Sequence, residues 1–151
     1  MFQIKYSEVT APHFTHAMQF LTQQNLPVKT AYNLKKITDE LQKHKKTISQ
    51  EYHDEITLVF SKKDAEGKIV HPKGDDGKEL EDQFEQDENR KEECSKKLEE
   101  FGNRTIEITR SKLDLGSLGS IELSAVHLSV LDPIIQDPET AEVLSISGSK
   151  K

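Results

Sequence analysis

From Val28 to Ser61 the chain runs without a glycine or a proline. Along that run apolar residues recur at Leu34, Ile37, Leu41, Ile48, Tyr52, Ile56 and Val59, with His44 in the slot between Leu41 and Ile48. Steps of three and four residues place these side chains on one face of a helix. A helix of roughly 34 residues at about 1.5 Å per residue reaches on the order of 50 Å. That is longer than a compact domain of this size needs, so the stripe demands a cover from the rest of the chain or from a partner.

The cover has to be thin. Of 151 residues 33% are apolar and 32% are charged, and there is no tryptophan, which suits an elongated helical protein better than a globular enzyme. One domain is expected over 1–136. The formal net charge of -6 argues against non-specific binding to a phosphate backbone, which takes a basic face. A single cysteine, Cys94, rules out an internal disulfide and a cysteine-rich zinc site, and suggests a reducing compartment. The N-terminus lacks the apolar run of a signal peptide, and no window approaches the ~20 apolar residues of a membrane span. The expected location is cytoplasmic.

In chain order, Phe2, Ile4 and Tyr6 alternate with polar residues as in a half-buried strand. Thr10 and Pro12 suggest an N-cap and first turn for a short helix carrying Phe14, Met18 and Leu21 and ending near Asn25. The long helix follows over about 28–62, with Thr30 or Val28 at its start. Gly67, Pro72, Gly74 and Gly77 then mark a connector of tight turns, in which a short hairpin is expected but no internal repeat is found. Leu80, Phe84, Cys94, Leu98 and Phe101 return at helical spacing and predict a second helix over about 79–101, capped by Gly102 and Asn103. The first helix is rich in lysine and the second in carboxylates, so the two are expected to fold back as an antiparallel, coiled-coil-like hairpin. Asp87 and Lys91 interrupt the apolar face of the second helix and weaken that packing. Strands are expected at Thr105–Thr109 and Ser120–Leu123, and a short helix over Ala125–Leu131 capped by Ser124. The chain from 137 to 151 reads as a mobile tail, in which Val143, Leu144 and Ile146 could dock as an edge strand. The fold class is therefore α+β: a long helical hairpin, a small antiparallel sheet and short flanking helices.

Candidate chemical sites are weak. His13 and His16 stand one turn apart, but two ligands without a HExxH motif or an acidic loop make no metal site. Asp64-Ala65-Glu66-Gly67 and Asp75-Asp76-Gly77 resemble fragments of calcium loops, and turn chemistry accounts for both. Gly116-Ser117-Leu118-Gly119-Ser120 lacks the lysine of a phosphate loop. No nucleophile, base and oxyanion donor can be assembled, so no catalytic residue, metal or cofactor is assigned. The residues expected to meet a partner are Leu41, His44, Ile48, Tyr52 and Ile56 on the stripe, and Glu85, Glu88 and Glu92 on the acidic run.

The run Leu26–Ile37, the charged long helix, the Asp64–Lys68 turn and the segments Leu115–Ser124 and Leu131–Ile135 are together similar to a group of small bacteriophage and prophage proteins. The resemblance covers most of residues 1–136 and is carried by structural motifs, not catalytic ones. The connector here is longer and the tail is rich in serine. The group is functionally uncharacterised, and the resemblance implies a viral origin and a non-enzymatic role. The expected function is protein–protein interaction or assembly through the hairpin, with this chain itself or another phage or host protein as partner. It would act in the bacterial host cytoplasm or in association with the virion. The alternative is an acidic inhibitor of a host nuclease or defence complex, mimicking DNA. Neither needs a membrane or direct nucleic-acid binding.

Overall fold

The computed structural model describes residues 1–119 and 121–137; the expected tail, with Val143, Leu144 and Ile146, lies outside the described residues but for Asp137. Among the described residues the fold is α+β, with one long helix and two small two-stranded sheets. Its contacts divide into two compact units: residues 1–45 with those from 104 onward, and residues 46–103.

In the first unit the alternation at the N-terminus makes strand β1 (Phe2–Lys5), with Phe2 and Ile4 buried. It pairs antiparallel with β2 (Thr105–Ile108), setting Phe2 against Ile108 and Ile4 against Ile106. These cross-strand apolar pairs are the unit of stabilisation in so small a sheet. Tyr6 N–H donates to the Arg104 carbonyl at 2.8 Å, and the chain then turns into helix α1 (Tyr6–Thr10). Glu8 starts that turn by accepting from the Lys5 N–H at 3.0 Å, which satisfies one otherwise orphaned donor. No helix is expected from the sequence here, because five residues carry too little periodicity.

Helix α2 (Pro12–Thr22) has Ala11, not Thr10, at its N-cap; the Thr10 hydroxyl donates instead to the Tyr6 carbonyl at 2.8 Å. It buries Phe14, Ala17, Met18 and Leu21, and ends three residues before Asn25. Helix α3 (Val28–Tyr52) begins one residue after Pro27 and continues into a π-helical turn (His53–Thr57), closed by Leu58 N–H on the His53 carbonyl at 2.9 Å. A continuous helical run over 28–57 therefore forms, a few residues shorter than the expected 28–62, with a change of winding near its end.

The late chain departs from expectation. Residues 121–124 form no strand. The second sheet is instead β3 (Leu113–Asp114) with β4 (Ile135–Gln136), paired parallel with Leu113 beside Ile135. Parallel strands need a long crossover. It is supplied by a 3-10 turn (Leu115–Leu118), helix α5 (Ala125–Leu131) and a second 3-10 turn (Asp132–Ile134). Ser124 caps α5 as expected, its hydroxyl accepting from His127 N–H at 3.1 Å. Ile4, Val9, Phe14, Leu21, Leu34, Ile37, Ile108, Leu113, Leu131 and Ile134 form the fully buried core of this unit, with α2 against α5.

The second unit is built from the end of α3, its π-helical turn, a run of tight turns and helix α4 (Lys91–Gly102). The turns contain a repeat that the sequence does not advertise. Val70 N–H donates to Lys62 carbonyl, Asp64 N–H to Lys68 carbonyl and Gly67 N–H to Asp64 carbonyl. Ten residues on, Leu80 N–H donates to Pro72 carbonyl, Gly74 N–H to Lys78 carbonyl and Gly77 N–H to Gly74 carbonyl. Gly67 and Gly77 sit at φ of 83° and 79°, the left-handed turn position that glycine adopts without a Cβ penalty. Two successive hairpins thus share one hydrogen-bond plan.

The expected second helix over 79–101 is accordingly shorter. Residues 79–87 lie in turns and bridges, and a 3-10 turn (Glu88–Arg90) precedes α4. The reason is local: Asp87 stays extended and its carboxylate accepts from Asn89 N–H at 3.0 Å, a cap geometry that competes with helix continuation. From Lys91 the apolar spacing takes over, burying Cys94 and Phe101.

Candidate interaction surfaces

The stripe residues do not form an exposed seam. Leu41, Ile48 and Ile56 are each 3% exposed, so the chain itself covers them, and His44 is half-buried. Tyr52 is open, 42% exposed, with its ring edge-on to Phe101 at 5.6 Å, and Val59 at the end of the stripe is exposed as well. The sequence signals a stripe but not its cover, because periodicity within one helix says nothing of which residues pack against it.

In the second unit the contacts run in opposite order along the two helical segments. Tyr52 meets Phe101, Glu55 Oε1 lies 4.0 Å from Lys97 Nζ, and Arg90 Nη1 donates to the Val59 carbonyl at 2.7 Å. Arg90 also grips Glu93 through Nη2 to Oε1 at 3.0 Å and Nε to Oε2 at 3.1 Å, and its guanidinium stacks 4.6 Å from the Phe60 ring centre. The hydrogen bond from Arg90 holds the Glu93 carboxyl below its ordinary range, and the same bond raises the Arg90 guanidinium.

Between these elements lies a hollow of about 250 Å³ lined by Tyr52, Ile56, Phe60, Phe84 and Leu98, with Glu85 and Gln86 at its polar side. Phe84 is held by two imidazoles, His53 at 5.5 Å and His71 at 5.1 Å, and His71 Nδ1 bonds the Gln83 carbonyl at 2.8 Å. The buried thiol of Cys94 lines the floor. Leu98 is 38% exposed, so this apolar surface is reachable from solvent.

Glu85, Glu88 and Glu92 are exposed, the first two lining a shallow recess with Lys62, Asp87 and Asn89. They do not share one helix as expected: Glu85 is in irregular chain before the bridge residue Gln86, Glu88 in the 3-10 turn and Glu92 in α4. The charge behind them is one-sided. Residues 46–103 hold seventeen carboxylates against ten lysines and arginines, a net of -7, whereas residues 1–45 and 104–137 hold eight against nine.

The remaining motifs resolve into structure. Asp64 Oδ1 accepts from Glu66 and Lys68 N–H at 2.9 Å, and Asp76 Oδ1 from Lys78 N–H at 3.1 Å, so these carboxylates build turns. His13 and His16 are exposed, and the described residues hold no group of three potential metal ligands. Gly119, at φ 65°, ends the Leu115–Leu118 turn. Among the described residues no helix is long and apolar enough to cross a membrane. Comparison with protein-family models, with curated proteins and with solved structures finds no match.

Proposed function

We propose that this chain is a non-enzymatic, phage-encoded protein that binds another protein through residues 46–103, where α4 folds back along the end of α3 as a short helical hairpin. The observation that carries the reading is the apolar hollow of Tyr52, Phe84 and Leu98 set in a unit of net charge -7. An apolar centre with a charged surround is the anatomy of a protein interface. The antiparallel order of contacts supports the hairpin. The partner is basic, because a second copy brought face to face would set one acidic unit against another. Blocking the basic groove of a host nuclease or defence complex is the form of this activity that the exposed Glu85, Glu88 and Glu92 favour. Self-assembly and contact with another phage component are the rival forms, both acting where the chain is made, in the host cytoplasm, or on the virion.

The test is inhibition and capture with purified host nucleases. E85K/E88K/E92K is expected to lose binding at least 10-fold, and L98A to lose it at unchanged salt dependence. Binding that survives both changes overturns the reading, as does association with acidic proteins alone.

A further inference from the structure

The first unit carries a cationic groove that the acidic surface does not use. Lys29, Tyr32, Asn33 and Lys36 share one face of the first turns of α3, at helical spacing. Against them stands the segment after β2. Asn33 clamps it from both ends of its amide, donating from Nδ2 to the Ser111 carbonyl at 2.9 Å and accepting from Arg110 Nε at 3.0 Å. Glu40 holds the same segment, accepting from Thr109 N–H at 3.0 Å and from the Thr109 hydroxyl. The result is a hollow of about 450 Å³ lined by Lys29, Tyr32, Arg110, Lys112 and Asp114.

Tyr32 is 54% exposed, with Lys36 Nζ 5.3 Å and the Arg110 guanidinium 5.8 Å from its ring centre. Lys112 Nζ stands 5.9 Å from the Phe2 ring. Among the described residues none of Lys29, Lys36, Arg110 and Lys112 is paired with a carboxylate. With Nε committed to Asn33, the outer nitrogens of Arg110 are left for a ligand. Four unneutralised cations around a solvent-open aromatic ring, on a clamped backbone, are suited to an anion that also presents a flat π-face.

We propose that this groove binds single-stranded nucleic acid, a base stacking on Tyr32 and neighbouring phosphates on Lys29, Lys36, Arg110 and Lys112. Stacking platforms flanked by cations take strands without sequence preference, since every base has a π-face. An acidic peptide would use the cations but leave the ring idle. The net charge of -6 does not oppose this, because its excess of carboxylates lies in residues 46–103. The inference is independent of the protein-binding reading above.

The test is fluorescence anisotropy of end-labelled oligo(dT) and oligo(U) of about ten nucleotides, titrated with the full chain at about 50 mM salt. Binding is expected, with a log–log salt slope of about -3 for four phosphate contacts. Y32A should weaken it about 10-fold and Y32F by less than about twofold, each with an unchanged melting temperature. K29Q/K112Q should reduce the slope by about 1.4. No binding at low salt overturns the proposal, and so does a Y32A chain that binds as tightly as the native one. Competition by poly-glutamate as effective as by unlabelled oligonucleotide would also overturn it, assigning the groove to acidic peptides.

Discussion

Arg90 ties four groups together from a partly exposed position: the Val59 carbonyl, both oxygens of Glu93 and the face of Phe60. A planar fork can do this and an ammonium cannot, so R90K should destabilise the protein nearly as much as R90A. Glu93 gives the arrangement a pH signature. Its folded pKa lies below the unfolded one because Arg90 bonds the charged form. Its contribution is thus present above the ordinary glutamate range and is lost as pH falls through the depressed folded value. The melting difference between native chain and E93Q is therefore expected at pH 7 and should shrink as the pH is taken down through and below the ordinary glutamate range. On the stripe, Ile48→Ala removes a buried side chain and should cost about 2–5 kcal/mol in urea unfolding, whereas Tyr52→Ala, at an exposed ring, should cost less. Periodicity reveals which residues share a face. It does not say that Ile48 is covered and Tyr52 open, since that depends on residues far along the chain.

Among the elements, those with a local cause were legible. The alternation of Phe2 and Ile4 gives β1, Ser124 caps α5, and a Gly- and Pro-free run gives α3. What escaped depends on partners. The two-residue strands β3 and β4 exist only because Leu113 and Ile135 meet across a crossover, and the helix expected from Glu79 fails because Asp87 caps a later start. The twin hairpins were hidden for another reason: their shared plan is written in backbone bonds and two glycines, while Asp64 and Gly74, Ile69 and Glu79 occupy matching places. That plan is testable. A Cβ at Gly67 or Gly77 meets nothing within 4 Å, so the cost of alanine there is the left-handed φ alone. G67A and G77A should each lose about 1 kcal/mol in chemical denaturation, by equal amounts. G116A, in a 3-10 turn without positive φ, should be neutral or stabilising by about 0.4–1 kcal/mol. Unequal losses at the two turn glycines would mean that the hairpins do not share one geometry.

For the molecule as a whole, net charge conceals more than it reports. A value of -6 reads as a uniformly acidic protein, yet residues 46–103 carry -7 while the remainder of the described chain is close to neutral and exposes a cationic groove. The total hides this groove, because sequence order separates Lys29 and Lys36 from Arg110 and Lys112. The clamp of Asn33 on the Arg110 guanidinium and the Ser111 carbonyl, with Glu40 on Thr109, brings them to one groove. The same segregation bears on assembly. With Leu41, Ile48 and Ile56 covered by their own chain, the apolar drive to self-associate along the stripe is gone, and the acidic unit repels its copy. Light scattering behind a sizing column is therefore expected to give the 17.2 kDa monomer at low salt across a wide concentration range. E85K/E88K/E92K changes three negative charges to positive and brings the formal net charge from -6 to zero. Repulsion between copies then falls, and the variant should become less soluble near pH 7 and show a concentration-dependent rise in mass. A native chain that is already a stable dimer at low salt would reverse the argument, placing the apolar hollow of Tyr52 and Leu98 in a self-contact strong enough to outweigh the charge.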